Sequence, residues 1–426
     1  MSGPCTRRGW LQTAGAASAS AALALPGLAR GQASLQLVVI GGGFGGATAA
    51  KYLRRWLPQA TITLIEPQDA FVMCPMSNRV IHGGLRLQDI TRRYEPFAAR
   101  HRLLWLKARA DRIDPLRRVV QVGKDSIPYD RLIVAPGVDF MYDGLRGLAS
   151  AEARRLVPHA WKAGEQTQWL RDQLVAMPRG GTVAMHIPRT PYRCPPGPYE
   201  RASLIAHMLQ QRNPRAKLLV YDSNPEIQSK RVLFEQIWAS RYAGVIEYLP
   251  NAELESVDAA GRSLTLAVHG PQKADVINVI PPQQAGAIAR EAGLANVGGR
   301  WCGVDFLSCE SQVQARVHVL GDSVAAAPGM PKSAHMANQQ AKVCAGAVAA
   351  LATGQPVPDQ PIIANTCYSF VSQTEAIHVA GVYRWDPAAR TMKAMPQAGG
   401  TSAQASAAEG VYAIAWAANI LDDSLG

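Results

Sequence analysis

Short, almost uninterrupted apolar runs alternate with alanine-rich stretches of helical period along most of this chain. Leu35–Ile40 is the first run, and it stops at Gly41-Gly42-Gly43-Phe44-Gly45-Gly46. A helix is predicted from Ala47 to about Trp56, then a second buried strand over Ala60–Ile65 that ends at Glu66. Runs that are apolar on both faces suit parallel strands covered by helices on either side. The same pattern recurs at Tyr129–Gly137, where a strand closes on Ala135-Pro136-Gly137, and at Val317–Asp322, which leads through Lys332 into a helix from about Ser333 to Leu351. Between these lie Gly181–Ile187 and Lys217–Tyr221, a further strand pair ending at Asp222. After about Pro356 the pattern changes to a strand around Ala376–Tyr383, a Gly/Ser/Ala-rich stretch and a last helix from Val411 to about Leu421.

The first unit carries a motif with a mechanism. Gly41, Gly43 and Gly46 form G-x-G-x-x-G between a strand and a helix, and Glu66 stands twenty residues after the last glycine. Gly41 permits the tight turn, Gly43 lets backbone approach a pyrophosphate, and Gly46 allows close helix–strand packing at a helix N-terminus that favours negative charge. Glu66 is placed to accept hydrogen bonds from a ribose and would repel a 2′-phosphate. The second unit lacks such a loop. Its strand runs into Pro188-Arg-Thr-Pro-Tyr-Arg-Cys194-Pro-Pro-Gly-Pro198, five prolines in eleven residues. Proline fixes φ and removes backbone donors that a pyrophosphate needs. The loop therefore replaces a nicotinamide site with a stiff support for Cys194.

Composition narrows the reading. The chain has 426 residues and a formal charge of +12 that comes from scarce acids, with Lys and Arg scattered, so nucleic-acid binding is not expected. A basic surface for an acidic protein or an anionic substrate fits better. Thr6-Arg7-Arg8-Gly9-Trp10-Leu11, an uncharged Ala-rich stretch and Ala29-Arg30-Gly31-Gln32-Ala33 read as a twin-arginine export signal, and its removal lowers the charge by three. The expected location is the periplasm. No later run is long enough to span a membrane. Seven cysteines at 5, 74, 194, 302, 309, 344 and 367 contain no C-x-x-C or C-x-x-C-H, and the nine histidines show no ligand spacing, so neither metal nor haem is expected in this chain.

The Tyr129–Gly137 and Val317–Asp322 segments resemble the later signatures of two-dinucleotide-domain flavoproteins. That resemblance implies FAD, with Ala135 and Gly137 in a small turn at the cofactor, Asp322 on its ribityl chain, and Lys332 and the following helix start beside its ring. The expected fold is α/β, with two Rossmann-like dinucleotide-binding domains (a split FAD domain with an inserted NAD-like domain) plus a small C-terminal α+β domain. Expected boundaries are a signal at 1–33, FAD-binding parts at 34–155 and 283–353, an inserted domain without a nucleotide site at 156–282, and a C-terminal domain at 354–426.

Cys194-Pro-Pro-Gly-Pro-Tyr-Glu-Arg-Ala-Ser203, His159-Ala-Trp-Lys-Ala-Gly-Glu-Gln-Thr167, Asp275-Val-Ile-Asn-Val-Ile-Pro-Pro-Gln283 and Asn365-Thr-Cys-Tyr-Ser369 resemble the flavoprotein subunit of flavocytochrome c sulfide dehydrogenase. The resemblance runs from Leu35 to Gly426. It implies a redox-active disulfide whose halves map onto Cys194 and Cys367, FAD held covalently through Cys74, and Trp416 near the flavin. It also implies sulfide as substrate and a c-type cytochrome subunit as electron acceptor. The loop Cys74-Pro75-Met76-Ser77-Asn78 has Pro-Met between the cysteine and Ser-Asn, which puts the covalent bond in question. On the residues alone, Arg193 and Arg201 offer positive charge that favours a Cys194 thiolate and draws in an anion, and Glu200 is a candidate proton acceptor. Cys344 reads as a packed helical thiol, while Cys302 and Cys309 are open to a structural disulfide. Two rival readings are a sulfide:quinone reductase, which would need an amphipathic C-terminus to seat on a membrane, and a flavoprotein acting on a sulfur-carrier protein in thiosulfate oxidation.

Overall fold

The computed structural model describes residues 34–426, so the expected signal at 1–33 lies outside the described residues. A five-stranded parallel sheet runs in the spatial order Val317–Val319, Arg131–Val134, Gln36–Ile40, Thr61–Ile65, Leu104–Leu106. The central strand Gln36–Ile40 is buried from Leu37 onward, which is why its sequence does not alternate. Helix Phe44–Trp56 begins three residues earlier than the apolar pattern predicts, because the last glycines of the motif are its first turn. It packs against helix Ala334–Ala352 through small side chains: a Cβ on Gly45 would lie 3.8 Å from Ala337 Cβ of that helix, and 2.3 Å from Leu320 Cδ1 after strand Val317–Val319.

A second parallel sheet has the order Ile246–Leu249, Lys217–Asp222, Thr182–Ile187, Val276–Val279. Helix Gly197–Arg212 follows its first strand after the proline loop, and twelve of its sixteen residues are buried, with only the C-terminal turn reaching the surface. The C-terminal segment forms an antiparallel sheet of Ile362–Phe370, Ala376–Asp386 and Thr391–Ala394, followed by helix Ala407–Leu425. That helix is longer at both ends than predicted. Ser406 caps it by accepting from Glu409 N. Buried polar contacts tie it to the first sheet's helices, with Thr48 Oγ1 and Ser424 Oγ 2.9 Å apart and Asn338 Nδ2 donating to Asp423 at 2.8 Å.

From Leu35 to Gly426 these segments pack as one compact unit. Both cysteine-bearing pieces, the proline loop and strand Ile362–Phe370, therefore converge on the start of helix Ala334–Ala352. Among the described residues, no helix is long and apolar enough to cross a membrane.

Candidate active site

The dinucleotide cradle is built by steric exclusion. Gly41 has φ +95, and a Cβ there would lie 2.4 Å from Ala135 O. A Cβ on Gly46 would lie 1.8 Å from Gly41 O. At Gly43 the nearest atom to a Cβ is Phe71 Cε2, 4.0 Å away, which leaves the open ground a pyrophosphate requires. Glu66 closes the loop by accepting from Gly42 N at 2.9 Å, and its other oxygen accepts from Gln68 N. Ala135 and Gly137 shape the neighbouring turn. Ala135 N donates to Ile40 O, while Gly137, at φ +70, has its carbonyl bound by Ser323 Oγ and Gly286 N.

Asp322 supplies the test of whether FAD fits. One oxygen lies 3.8 Å from Arg193 Nη1, and the other is buried with no hydrogen-bond partner. A buried carboxylate oxygen left unsatisfied is costly unless a ligand hydroxyl donates to it. Asp322 lines a cavity with Gly321, Lys332 and Ser333, where helix Ala334–Ala352 presents its N-terminus. The donor-lacking acid, the helix end and the glycine cradle fit a flavin dinucleotide. Lys332 lines the same cavity but differs from its expected role. Its ammonium donates to Asp322 O and Val324 O and sits 3.7 Å from the Trp301 ring centre. Burial lowers its pKa to about 8. The contribution of Lys332 to the site is through its backbone, whose carbonyl accepts from Cys194 N at 2.7 Å.

Cys194 and Cys367 line one cavity together with Glu200, His335, Tyr368 and Trp416. Both are free thiols in this structure, as are the other four described cysteines. Cys194 has φ +56, a conformation costly for a non-glycine residue and held here by its hydrogen bond to Lys332 O and by Gly197 N donating to Cys194 O. Positive charge was expected to favour its thiolate. Instead burial dominates and pushes the Cys194 thiol well up against the smaller pull of Lys230 and Arg193, whose guanidinium is turned to Cys74 Sγ, Trp161 O and Asp322. Arg201 also departs from expectation. It is 1% exposed and donates to Asn78 Oδ1, His159 O, Asn278 Oδ1 and Ala160 O, so it ties elements together and cannot recruit an anion.

Glu200 is buried on the first turn of helix Gly197–Arg212, where Oε1 accepts from Phe370 N at 2.9 Å and Oε2 from Asn78 Nδ2 at 2.8 Å. Burial raises its pKa above the usual carboxylate range despite those bonds. Trp416 lines the cavity between the His335 and Tyr368 rings, and its buried Nε1 has no partner. Cys74 is half-buried in the turn before helix Ser77–His82, with Sγ 3.4 Å from both Arg193 Nη2 and Ala163 N. Cys302 and Cys309, left open by the sequence, are not paired. Cys309 hydrogen-bonds Gln340 O at 3.7 Å and lies against Cys344, whereas Cys302 sits in a different core cluster near Lys332.

Two residues of the site gave no sequence signal. Lys230, in a loop between two strands of the second sheet, brings a buried ammonium to Cys367 O at 3.0 Å. His335 also reaches the cavity only through tertiary packing, while Asn365 belongs to the Asn365–Ser369 motif and donates to Cys367 Sγ. The inserted sheet carries its own residual signature at Asp222. That carboxylate accepts from Tyr199 OH, Tyr248 OH, Asn224 N and Asn224 Nδ2, which leaves nothing to offer a ribose. Among the described residues, no group of three or more His, Cys, Asp or Glu is placed to hold a metal.

Two parallel sheets, a glycine cradle and an orphaned polyol acceptor fit the class of pyridine nucleotide-disulphide oxidoreductases, whose family model matches residues 35–172. Two further models match: the central part of the sulfide dehydrogenase [flavocytochrome c] flavoprotein chain at 167–281, and the flavocytochrome c sulphide dehydrogenase flavin-binding domain at 359–425. The chain belongs to the family of flavocytochrome c sulfide dehydrogenase flavoproteins, and its cofactor is FAD. It is 60% identical over 45 residues to the sulfide dehydrogenase flavoprotein chain of Chlorobaculum thiosulfatiphilum, which is 94% of that short sequence and 11% of this chain. It is 28% identical over 235 residues to the sulfide-quinone reductase of Aquifex aeolicus, spanning only 52% of each. The solved structure of the Aquifex aeolicus sulfide:quinone oxidoreductase superposes with a TM-score of 0.73 at 21% identity, covering 92% of this chain and 91% of that one. At that identity the likeness speaks for the fold.

Proposed function

We propose that this protein is the FAD-bearing subunit of a periplasmic sulfide dehydrogenase that passes electrons to a c-type cytochrome. The observation that carries the reading is the meeting of Cys194 and Cys367, far apart in sequence, at one cavity with a buried carboxyl and an unpartnered indole. In the oxidised enzyme the two cysteines form a disulfide. Hydrosulfide attacks one sulfur, the Cys–Cys bond breaks, a persulfide forms on the attacked sulfur, and the electron pair stays on the other as thiolate. FAD, when bound, accepts a pair of electrons and releases them singly, as a one-electron haem acceptor requires. Gly41, Gly43, Gly46, Glu66 and Asp322 hold it. Glu200, whose proton affinity burial raises, is the acceptor for the persulfide's proton in the step after the incoming sulfur has bonded. The cavity wall of Pro75, Met76, Phe370 and Ala413 keeps water from the opened sulfurs.

The net charge supports docking of an acidic partner, and the twin-arginine segment supports export. The proline-braced Cys194 loop and the saturated Asp222 support electron transfer without a nicotinamide. The Arg193 guanidinium that reaches both Cys74 Sγ and Asp322 supports a covalent flavin link at Cys74. Anaerobic stopped flow tests the reading: sulfide bleaches the flavin of the wild type, and Cys367→Ala abolishes that bleaching. Wild-type rates in the variant overturn it.

One feature favours a second reading. Helix Ala407–Leu425 leaves Val411, Tyr412 and Ile414 49–63% exposed along the face beyond Trp416, a surface suited to a quinone-bearing membrane. Turnover with a short-chain quinone and none with cytochrome c would establish that acceptor instead.

A further inference from the structure

The two cysteines sit in unlike surroundings. Lys230, the residue before helix Arg231–Arg241, is 8% exposed, and its ammonium donates to Cys367 O at 3.0 Å, Ser369 Oγ at 2.8 Å and Ile377 O at 3.5 Å. All three partners are neutral, so a full positive charge is held inside the protein without a bonded counter-charge. Such a burial is expensive unless an anion arrives nearby. Asn365 Nδ2 donates to Cys367 Sγ at 3.4 Å, and the amide is fixed that way round because Ser333 Oγ donates to Asn365 Oδ1 at 2.6 Å. Cys194 has the opposite setting. Pro195, Pro196 and Pro198 carry no N–H, and the Gly197 N–H is committed to Cys194 O. The helix start beside Cys194 thus lacks the amides that would otherwise steady an anion there.

We propose that Lys230 is a positioning residue that sets the polarity of the disulfide: Cys194 is the sulfur attacked, and Cys367 leaves as the thiolate. The inference rests on the sulfide reading above and adds a direction to it. Hydrosulfide forms a bond to Cys194 Sγ, the Cys194–Cys367 bond breaks, and its electron pair goes to Cys367 Sγ. The proton of hydrosulfide stays on the terminal sulfur of the Cys194 persulfide. The new negative charge arises on the sulfur that the Asn365 amide faces directly and in the residue whose carbonyl holds the Lys230 ammonium, so breakage in this sense is favoured. The ionisable groups that face Lys230 are Cys367 from the strand, Cys194 and Glu200 from the proline loop and its helix, and Glu409 from the C-terminal helix. Glu409 is hydrogen-bonded to His378 and Ser402.

The test uses the flavin-loaded full chain. One equivalent of sulfide is added without oxygen, the thiols are capped with iodoacetamide, and the peptides are read by mass spectrometry. The expected result is an additional sulfur on the Cys194 peptide and a simply alkylated Cys367. Extra sulfur on Cys367 overturns the polarity while leaving sulfide oxidation intact. An oxidised protein in which the two cysteines are not linked overturns the sulfide reading itself. In the reduced protein, Lys230→Met raises the pH midpoint of Cys367 alkylation by about one unit, a tenfold change in thiolate at fixed pH, and Lys230→Arg restores it. A midpoint that stays put overturns the role of Lys230, and the wild-type persulfide map decides the polarity even where Lys230→Met does not fold.

Discussion

Gly46→Ala and Gly43→Ala differ by one methyl group each at positions three residues apart, yet they should fail in different ways. At position 46 the new carbon would stand 1.8 Å from Gly41 O, 2.9 Å from Gly41 C and 3.3 Å from Val39 Cγ1. No side-chain rotation relieves a clash with backbone, so the loop and helix must part by at least about 1.2 Å to reach even the tightest tolerated contact. Forcing a methyl into a packed site costs about 1–3 kcal/mol, and backbone on the opposing side puts this one at the upper end. At position 43 φ is −69 and the nearest atom is 4.0 Å away, so alanine fits the protein itself within about 0.5 kcal/mol. The methyl does occupy ground a pyrophosphate needs. Both variants belong in a Cys74→Ser background, so that no covalent bond retains a badly seated flavin. Urea denaturation of the flavin-free protein should show a lowered midpoint for Gly46→Ala only, while absorbance of bound flavin should be lost in both. Equal stability of the two variants, or full flavin loading of Gly43→Ala, would refute the division of labour among the glycines.

Replacing Asp322 with Ala removes the orphaned acceptor, and FAD affinity should drop about 10- to 100-fold in equilibrium dialysis, the worth of a charged hydrogen bond. Unchanged affinity would place the polyol elsewhere. Arg201→Met breaks four hydrogen bonds of a guanidinium that is 1% exposed, and the urea midpoint should fall by the equivalent of about 3–5 kcal/mol. A loss below about 1 kcal/mol would mean the neighbouring carbonyls find other donors. Glu200 gives a pH signature of defined sign. Its folded-state pKa is raised above the ordinary 4.5, so its contribution to stability is fully present below that pH and is lost as pH rises through the higher folded value. Wild-type stability measured relative to Glu200→Gln should therefore decline over that window, and a difference that rises with pH would contradict the burial argument.

The sequence alone carried everything that depends on local backbone and chain order. The G-x-G-x-x-G loop, the strand that feeds it and the acid beyond it are a continuous stretch, so their geometry follows from spacing, and Gly41, Gly46 and Glu66 stand where that spacing puts them. The ends of the last helix were less legible, because its capping residue Ser406 lies outside the apolar periodicity that reveals a helix, whereas the helix after Ser333 begins and ends within a residue of its predicted bounds. What only the tertiary structure decided is which charges are free and which are committed. Arg193 and Arg201 look alike beside Cys194 in sequence, yet one reaches Asp322 and Cys74 while the other is closed in by carbonyls from three other segments. Lys230 was invisible for the same reason. Desolvation and long-range hydrogen bonding are set by what folds over a side chain, and no spacing rule encodes a neighbour that arrives from a strand more than a hundred residues away.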